Sequence, residues 1–289
     1  MNFLTKKSLL NVVTTALVIS STSAMAFNPF DVTETSVPGA AANVISNAGK
    51  IVGGYTEFAT FSNQTAIPGQ PGFVSGDFTT DIVWNAGQFF DAAGTTSLPS
   101  QLGGFGASGY EMYALFSGLA GTFITEVATG KSTLTFAPGG SLALYIDQNS
   151  DTTFGGGVTA TGGTADDYKI ATGTGLSGVG LLDPTLPTCN TANNCGSFGF
   201  DNSFILTTVA DVGVAGATPG TAYFTAPDPF YNVSFEGGQF NNFDTTSTTA
   251  QLINGSLDAA FRNVPEPTSI ALMGLGLLGL AASRRKQTK

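Results

Sequence analysis

The side chains best placed to do chemistry are oxygen-bearing and sit in two neighbouring stretches. Asp147-Gln148-Asn149-Ser150-Asp151 closes an alternating run from Gly140 to Asp147, and Asp166-Asp167 lie one loop further on. Oxygens at alternate positions of a tight turn can converge on one hard cation. Asp147, Asn149 and Asp151 have that spacing, with Asp166 and Asp167 available to complete the shell, and calcium is the ion such a set would take. The glycine and glutamate that mark a helix–loop–helix calcium site are missing at the sixth and twelfth positions. The plainer alternative is an Asx-turn cluster that ends a strand. Both readings stand at the level of sequence.

Cys189 and Cys195 enclose a short loop rich in asparagine. In an oxidising compartment they are expected to form a local disulfide. Their spacing is not Cys-x-x-Cys and no cation lies near them in sequence, which argues against redox catalysis. Pairs of carboxylates could hydrolyse glycosidic bonds, but no pair stands out by context. Aromatics such as Trp84 and several tyrosines could stack on sugars. Tyr55, Phe58, Phe61, Phe89, Phe90, Tyr110 and Tyr113 nevertheless read first as core.

Composition removes other chemistries. The 289 residues contain no histidine, which excludes Ser-His-Asp or Cys-His nucleophiles and histidine-ligated zinc. Two cysteines cannot make a four-thiolate metal site. The formal net charge is −10, and a nucleic-acid partner is not expected without clustered Lys and Arg. The expectation is a protein that is not an enzyme, with calcium the one candidate cofactor.

The elements that position these residues lie between two terminal signals. Lys6 and Lys7, an apolar run from Leu9 to Ile19, and Ala24-Met25-Ala26 describe a secretory signal peptide over residues 1–26. Cleavage is placed after Ala26, with Ala24 and Ala26 as the small residues before the cut. At the other end stand Pro265-Glu266-Pro267, an apolar run from Ile270 to Ala282, and then Arg284-Arg285-Lys286. The run is glycine-rich and shorter than the roughly 20 residues of a stable span. The basic cluster acts as a cytoplasmic stop. These features describe a marginal, temporary anchor in the inner membrane.

Residues 264–289 resemble the PEP-CTERM sorting signal through Pro265, Glu266, Pro267, the short apolar helix and the basic end with Arg284 and Arg285. The resemblance implies processing by an exosortase, a membrane transpeptidase-like enzyme of Gram-negative bacteria that make exopolysaccharide. It further implies delivery of the body to the cell surface or extracellular matrix.

The body, residues 27–263, carries Lys50, Lys131, Lys169 and Arg262 against nineteen acidic residues, a net −15. Short Thr-, Val- and aromatic-rich runs separated by Gly and Pro breakers predict strands. These are 51–61, 78–84, 112–116, 122–127, 133–136, 140–147, 204–209, 221–224 and 231–235. Segments 39–50 and 250–262 are the best helix candidates. The expected fold is all-β, an antiparallel β-sandwich or jelly roll in a single domain, with a transmembrane barrel as the competitor. The stretches 155–165 and 183–197 read as long loops in preference to hinges.

The body also resembles flocculation-associated PEP-CTERM proteins of activated-sludge bacteria. The matching segments are Phe27–Val37 with Ser36-Val37-Pro38-Gly39, Gly54-Tyr55-Thr56-Glu57, Trp84-Asn85-Ala86-Gly87-Gln88-Phe89, Gly104-Phe105-Gly106-Ala107-Ser108-Gly109-Tyr110 and the strand and turn at 142–151. That resemblance implies a role in cell aggregation with exopolysaccharide, in flocs or biofilm, by non-enzymatic adhesion and with self-association a further option. A secreted carbohydrate-active enzyme and a purely structural coat protein are the alternatives.

Overall fold

A computed structural model describes residues 27–103, 109–155, 158–185, 196–241, 247 and 249–262. Its strands are far longer than the apolar runs that foretell them: β2 is Val44–Ala66, β3 Phe73–Asp91 and β4 Glu111–Glu126. β5 (Ser132–Phe136) and β6 (Gly139–Asp147) occupy one strand position in two pieces, and both lie between β4 and the next long strand, β9 (Tyr168–Leu182). Pro138 stands between them and has no N–H to give a ladder. Gly139 and Gly140 turn the chain there with φ of 130° and 71°. β10 (Gly196–Asn202), β13 (Asn232–Asn241) and β14 (Gln251–Arg262) complete the series.

Each of these strands pairs antiparallel with the next in chain order, and β2 pairs with both β3 and β14. The sheet therefore closes on itself as a barrel of eight strand positions. The all-β, antiparallel, single-domain expectation holds. The sandwich or jelly roll is replaced by a barrel-like meander, because the last strand returns to the first and leaves no second sheet to pack against. Both helix candidates are corrected: Val44 onward and Gln251–Arg262 are strands. Their side chains alternate between core and exterior once both faces of each strand have neighbours. Segment 221–224 is also revised. The helical turn α1 (Gly220–Tyr223) leads into β12 (Phe224–Ala226).

Inward positions carry the apolar mass. Phe78, Ile82, Trp84 and Phe89 of β3 are buried, as are Ile253, Leu257 and Phe261 of β14. Trp84 is 1% exposed and donates its indole N–H to the Leu257 carbonyl at 2.7 Å, so it is a core anchor and not a sugar platform. Tyr55, Phe61, Phe89, Tyr110 and Tyr113 are likewise buried, whereas Phe58 is exposed. Outward positions mix polar residues such as Asp77, Thr79, Asn85, Gln88, Asn254 and Ser256 with scattered apolar ones such as Ile124, Val179, Leu181 and Leu252, all exposed. A lipid-facing barrel shows the reverse pattern. Among the described residues no helix is long and apolar enough to cross a membrane. The terminal apolar runs lie outside them.

Room for the rings comes from glycines on the inward face. A Cβ on Gly121 would lie 2.6 Å from the Phe78 ring, and one on Gly178 would lie 2.6 Å from Phe200 and 2.9 Å from Phe136. One end of the barrel is plugged by β1 (Phe30–Thr33), a 3-10 turn at Glu34–Ser36, α1 and β12. Glu34 is 0% exposed and accepts hydrogen bonds from Asn43 Nδ2, Ser100 Oγ, the Gln101 N–H and the Tyr110 hydroxyl. Tyr110 gives its proton to Glu34, so Tyr223 donates to Tyr110, at 2.5 Å. The buried carboxylate is satisfied without a cation, which is what makes its burial tolerable.

Two expectations follow from this interior. Gly121→Ala should cost about 1–3 kcal/mol by overpacking. Gly54→Ala, whose Cβ meets nothing nearer than 3.8 Å, should change stability by less than ~0.5 kcal/mol; urea unfolding of the pair measures the contrast. The second concerns Glu57, which lies on the inward register of β2 with the Thr80 hydroxyl donating to it at 2.7 Å. Burial pushes its carboxyl from 4.5 up to about 7, opposed by the Thr80 bond. The folded state then holds a proton that the unfolded state has lost, so stability declines as pH rises from about 4.5 through 7, by at most about 3 kcal/mol. Glu57→Gln should flatten that slope in unfolding measured between pH 4.5 and 8.

Candidate functional site

β6 ends at Asp147, at the plugged end of the barrel, and the chain turns sharply through Gln148–Thr152. Asp147 is 0% exposed and holds this turn together as an acceptor. Its Oδ1 takes the N–H groups of Asn149 (3.1 Å) and Ser150 (2.7 Å), and its Oδ2 takes that of Thr152 (2.9 Å). Ser150 sits at φ 56°, the left-handed conformation that lets the N–H groups converge. The Asx-turn reading is therefore correct for Asp147 itself.

The same turn recruits the acidic pair that precedes β9. Asn149 N–H also donates to Asp166 Oδ2 at 2.9 Å. Asp167 accepts from the Tyr113 hydroxyl at 2.6 Å and from the Thr152 hydroxyl at 2.8 Å and 3.0 Å. One carboxylate oxygen from each of Asp147, Asp166 and Asp167 lies within 4.8 Å of the others. Three of the five predicted ligands thus meet. Asn149 enters through its backbone N–H. Asp151 is exposed, yet close enough to be affected by Asp166 and Asp147.

The electrostatics are those of crowded acids. Burial raises the Asp167 carboxyl, with hydrogen bonds from Tyr113 and Thr152 opposing and the charges of Asp147 and Asp166 adding to the rise. Asp151 is raised by desolvation and then by Asp166 and Asp147; Glu111, opposite Asp147 in the β4–β6 ladder, is raised by burial and by Asp147. Lys169 stands two residues after Asp167, with its ammonium over the Tyr145 ring at 5.9 Å. Crowded carboxylates with little counter-charge favour a hard divalent cation, which would lower every raised group at once. The donor set of three carboxylates fits such an ion.

Sequence reasoning missed Tyr113, Thr152 and Glu111. Thr152 was within reach, being the next residue of the turn. Tyr113 and Glu111 come from β4, and only the β4–β6 register brings them here. The remaining predicted residues lie outside the described residues: Ala24, Ala26, Cys189, Cys195, Pro265, Glu266, Pro267, Arg284 and Arg285.

Removing Asp147 should damage the fold whether or not metal is present. Asp147→Ala leaves the Ser150 and Thr152 N–H groups without an acceptor, an expected loss of about 2–4 kcal/mol that persists in EDTA and grows in calcium if the ion binds the wild-type turn. Thermal unfolding in EDTA and in calcium measures it.

Comparison with known families gives one result. A model described as the PEP-CTERM protein-sorting motif matches residues 263–286. No curated protein and no solved structure matches the chain.

Proposed function

Since its residues 263–286 form a PEP-CTERM sorting motif, which marks an exported protein sorted by an exosortase to the surface or extracellular space, we propose that this protein is an adhesive component of a bacterial extracellular matrix. On this reading a Gram-negative exosortase removes the tail near Pro265-Glu266-Pro267 after transient anchoring in the inner membrane. The freed barrel then promotes cell aggregation with exopolysaccharide, in flocs or biofilm, without enzymatic action.

The observation that carries the adhesive mechanism is the convergence of Asp147, Asp166 and Asp167 within 4.8 Å on a body with four positive charges. Calcium held there by the three carboxylates would keep open positions for carboxylates of an anionic polymer or of a neighbouring copy. A non-enzymatic role is supported by how these acids are held. All three are held as hydrogen-bond acceptors of one fixed turn, by the N–H groups of Asn149, Ser150 and Thr152 and by the Thr152 hydroxyl.

The test is binding of the surface-released protein to purified matrix polysaccharide at controlled free calcium. Calcium should raise the unfolding temperature by about 2–4 °C per kcal/mol of binding free energy and should make polymer binding saturable. The double variant Asp166→Asn, Asp167→Asn keeps an acceptor for Tyr113 and Thr152, so it should fold and lose both effects. Polymer binding that is unchanged by EDTA would overturn the cation-bridging mechanism.

A further inference from the structure

Apart from the acidic turn, the plugged end of the barrel contains a cavity of about 340 Å³, within the range of small-molecule sites. Its floor is aromatic: Phe204 and Phe224 are buried and Phe230 is half-buried, and the rings of Pro227 and Pro229 extend the apolar surface. Around the mouth stand the exposed Thr221, Thr225 and Asp228. The walls are fixed before any guest arrives. Ile205 and Leu206 are paired to Thr172 and Ala171 of β9, and β12 is paired to β1. Thr207 holds α1 by accepting the Gly220 N–H at 2.7 Å on its hydroxyl and the Thr221 N–H at 3.2 Å on its carbonyl.

The lining selects among guests. It contains one carboxylate, two hydroxyls and no cation. The four cations of the body are engaged elsewhere: Lys50 with Asp258 at 2.8 Å, Lys131 with Asp183 at 3.0 Å, Arg262 with Glu236, and Lys169 over Tyr145. An anionic group would find no partner and would face Asp228. A wholly apolar guest would strip water from the mouth without replacing its hydrogen bonds. An ammonium would suit Asp228, but Phe204, Phe224 and Phe230 pack on one another with centroids 4.9 to 5.9 Å apart, leaving no cage around a cation. The guest that matches both surfaces has an apolar face for the rings and an edge of hydroxyls. The hydroxyls would donate to Asp228 in charge-assisted bonds and exchange hydrogen bonds with the two threonines.

We propose that this cavity is a calcium-independent binding site for an uncharged pyranose residue of a polysaccharide. The site rests on the adhesion reading and deepens it, giving the polymer a second foothold that needs no bridging ion.

The experiment is NMR titration of the secreted protein in EDTA. The neutral probes are methyl glycosides of glucose, galactose, mannose and N-acetylglucosamine; methyl glucuronide and butylammonium are the charged ones. At least one neutral glycoside should shift the resonances of residues 221–230 saturably, with a Kd on the order of 1 mM, and both charged probes should bind at least ~10-fold more weakly. Phe230→Ala should weaken binding by ~10-fold or more. Thr221→Phe, an exposed position that fills the mouth without touching the core, should abolish it even if the first variant unfolds. The proposal is overturned if no neutral glycoside shifts these residues, if a charged probe binds as well, or if binding survives Thr221→Phe. Sugar binding that persists in EDTA while calcium-dependent polymer capture fails would retire the cation bridge and leave this site standing.

Discussion

The barrel can close only because glycine stands where a ring from the neighbouring strand needs room. Gly121 faces Phe78, Gly178 faces Phe136 and Phe200, and Gly237 faces Phe198. Each glycine weakens its own strand slightly, but the ring packed over it joins two strands across the interior. Tyr55 meets Phe198, and Phe116, Phe200 and Phe235 lie within 4.8 to 5.6 Å of one another in edge and stacked contacts. Closure through β2 and β14 then removes the unpaired edges that make exported β proteins aggregate.

Charge is arranged with similar economy. The buried Glu34 is satisfied by four hydrogen bonds from neighbours and not by a cation, and Asp147 is satisfied by the backbone of its own turn. The few lysines and the arginine are spent on local contacts. Among the described residues the ion pairs use Asp258, Asp183 and Glu236, and the acids of the turn are held by hydrogen bonds. The acidic turn, the aromatic cavity and the end of β14 at Arg262 all belong to the plugged end of the barrel. The sorting motif begins at residue 263, directly after that strand.

Much of this was legible in the sequence, and the failures have physical causes. Alternation at Leu142, Leu144 and Ile146 placed β6 correctly because those side chains point inward between two partners. β9 was missed because Gly173, Gly175, Gly178 and Gly180 replace the apolar residues that periodicity counts; at each of them a backbone carbonyl or a Leu or Phe side chain of a neighbouring segment comes close. Residues 250–262 looked weakly helical because alanines and small polar residues blur the period, while the pairing of β14 with both β13 and β2 decides the outcome. Closure into a barrel was out of reach, since it depends on the pairing of β2 with β14, almost the full length of the body apart. At the acidic site the turn residues were readable from spacing. Tyr113 and Glu111 were not, because register alone delivers them.

The central claim is that this barrel is exported, freed from its C-terminal tail and active outside the cell. Mass spectrometry of the surface-associated form, with both termini mapped, addresses it most directly. The account predicts a chain that starts at Phe27 and ends near Pro265–Pro267, recovered from the surface or matrix. A chain that retains Lys289 and remains in the inner-membrane fraction would contradict it.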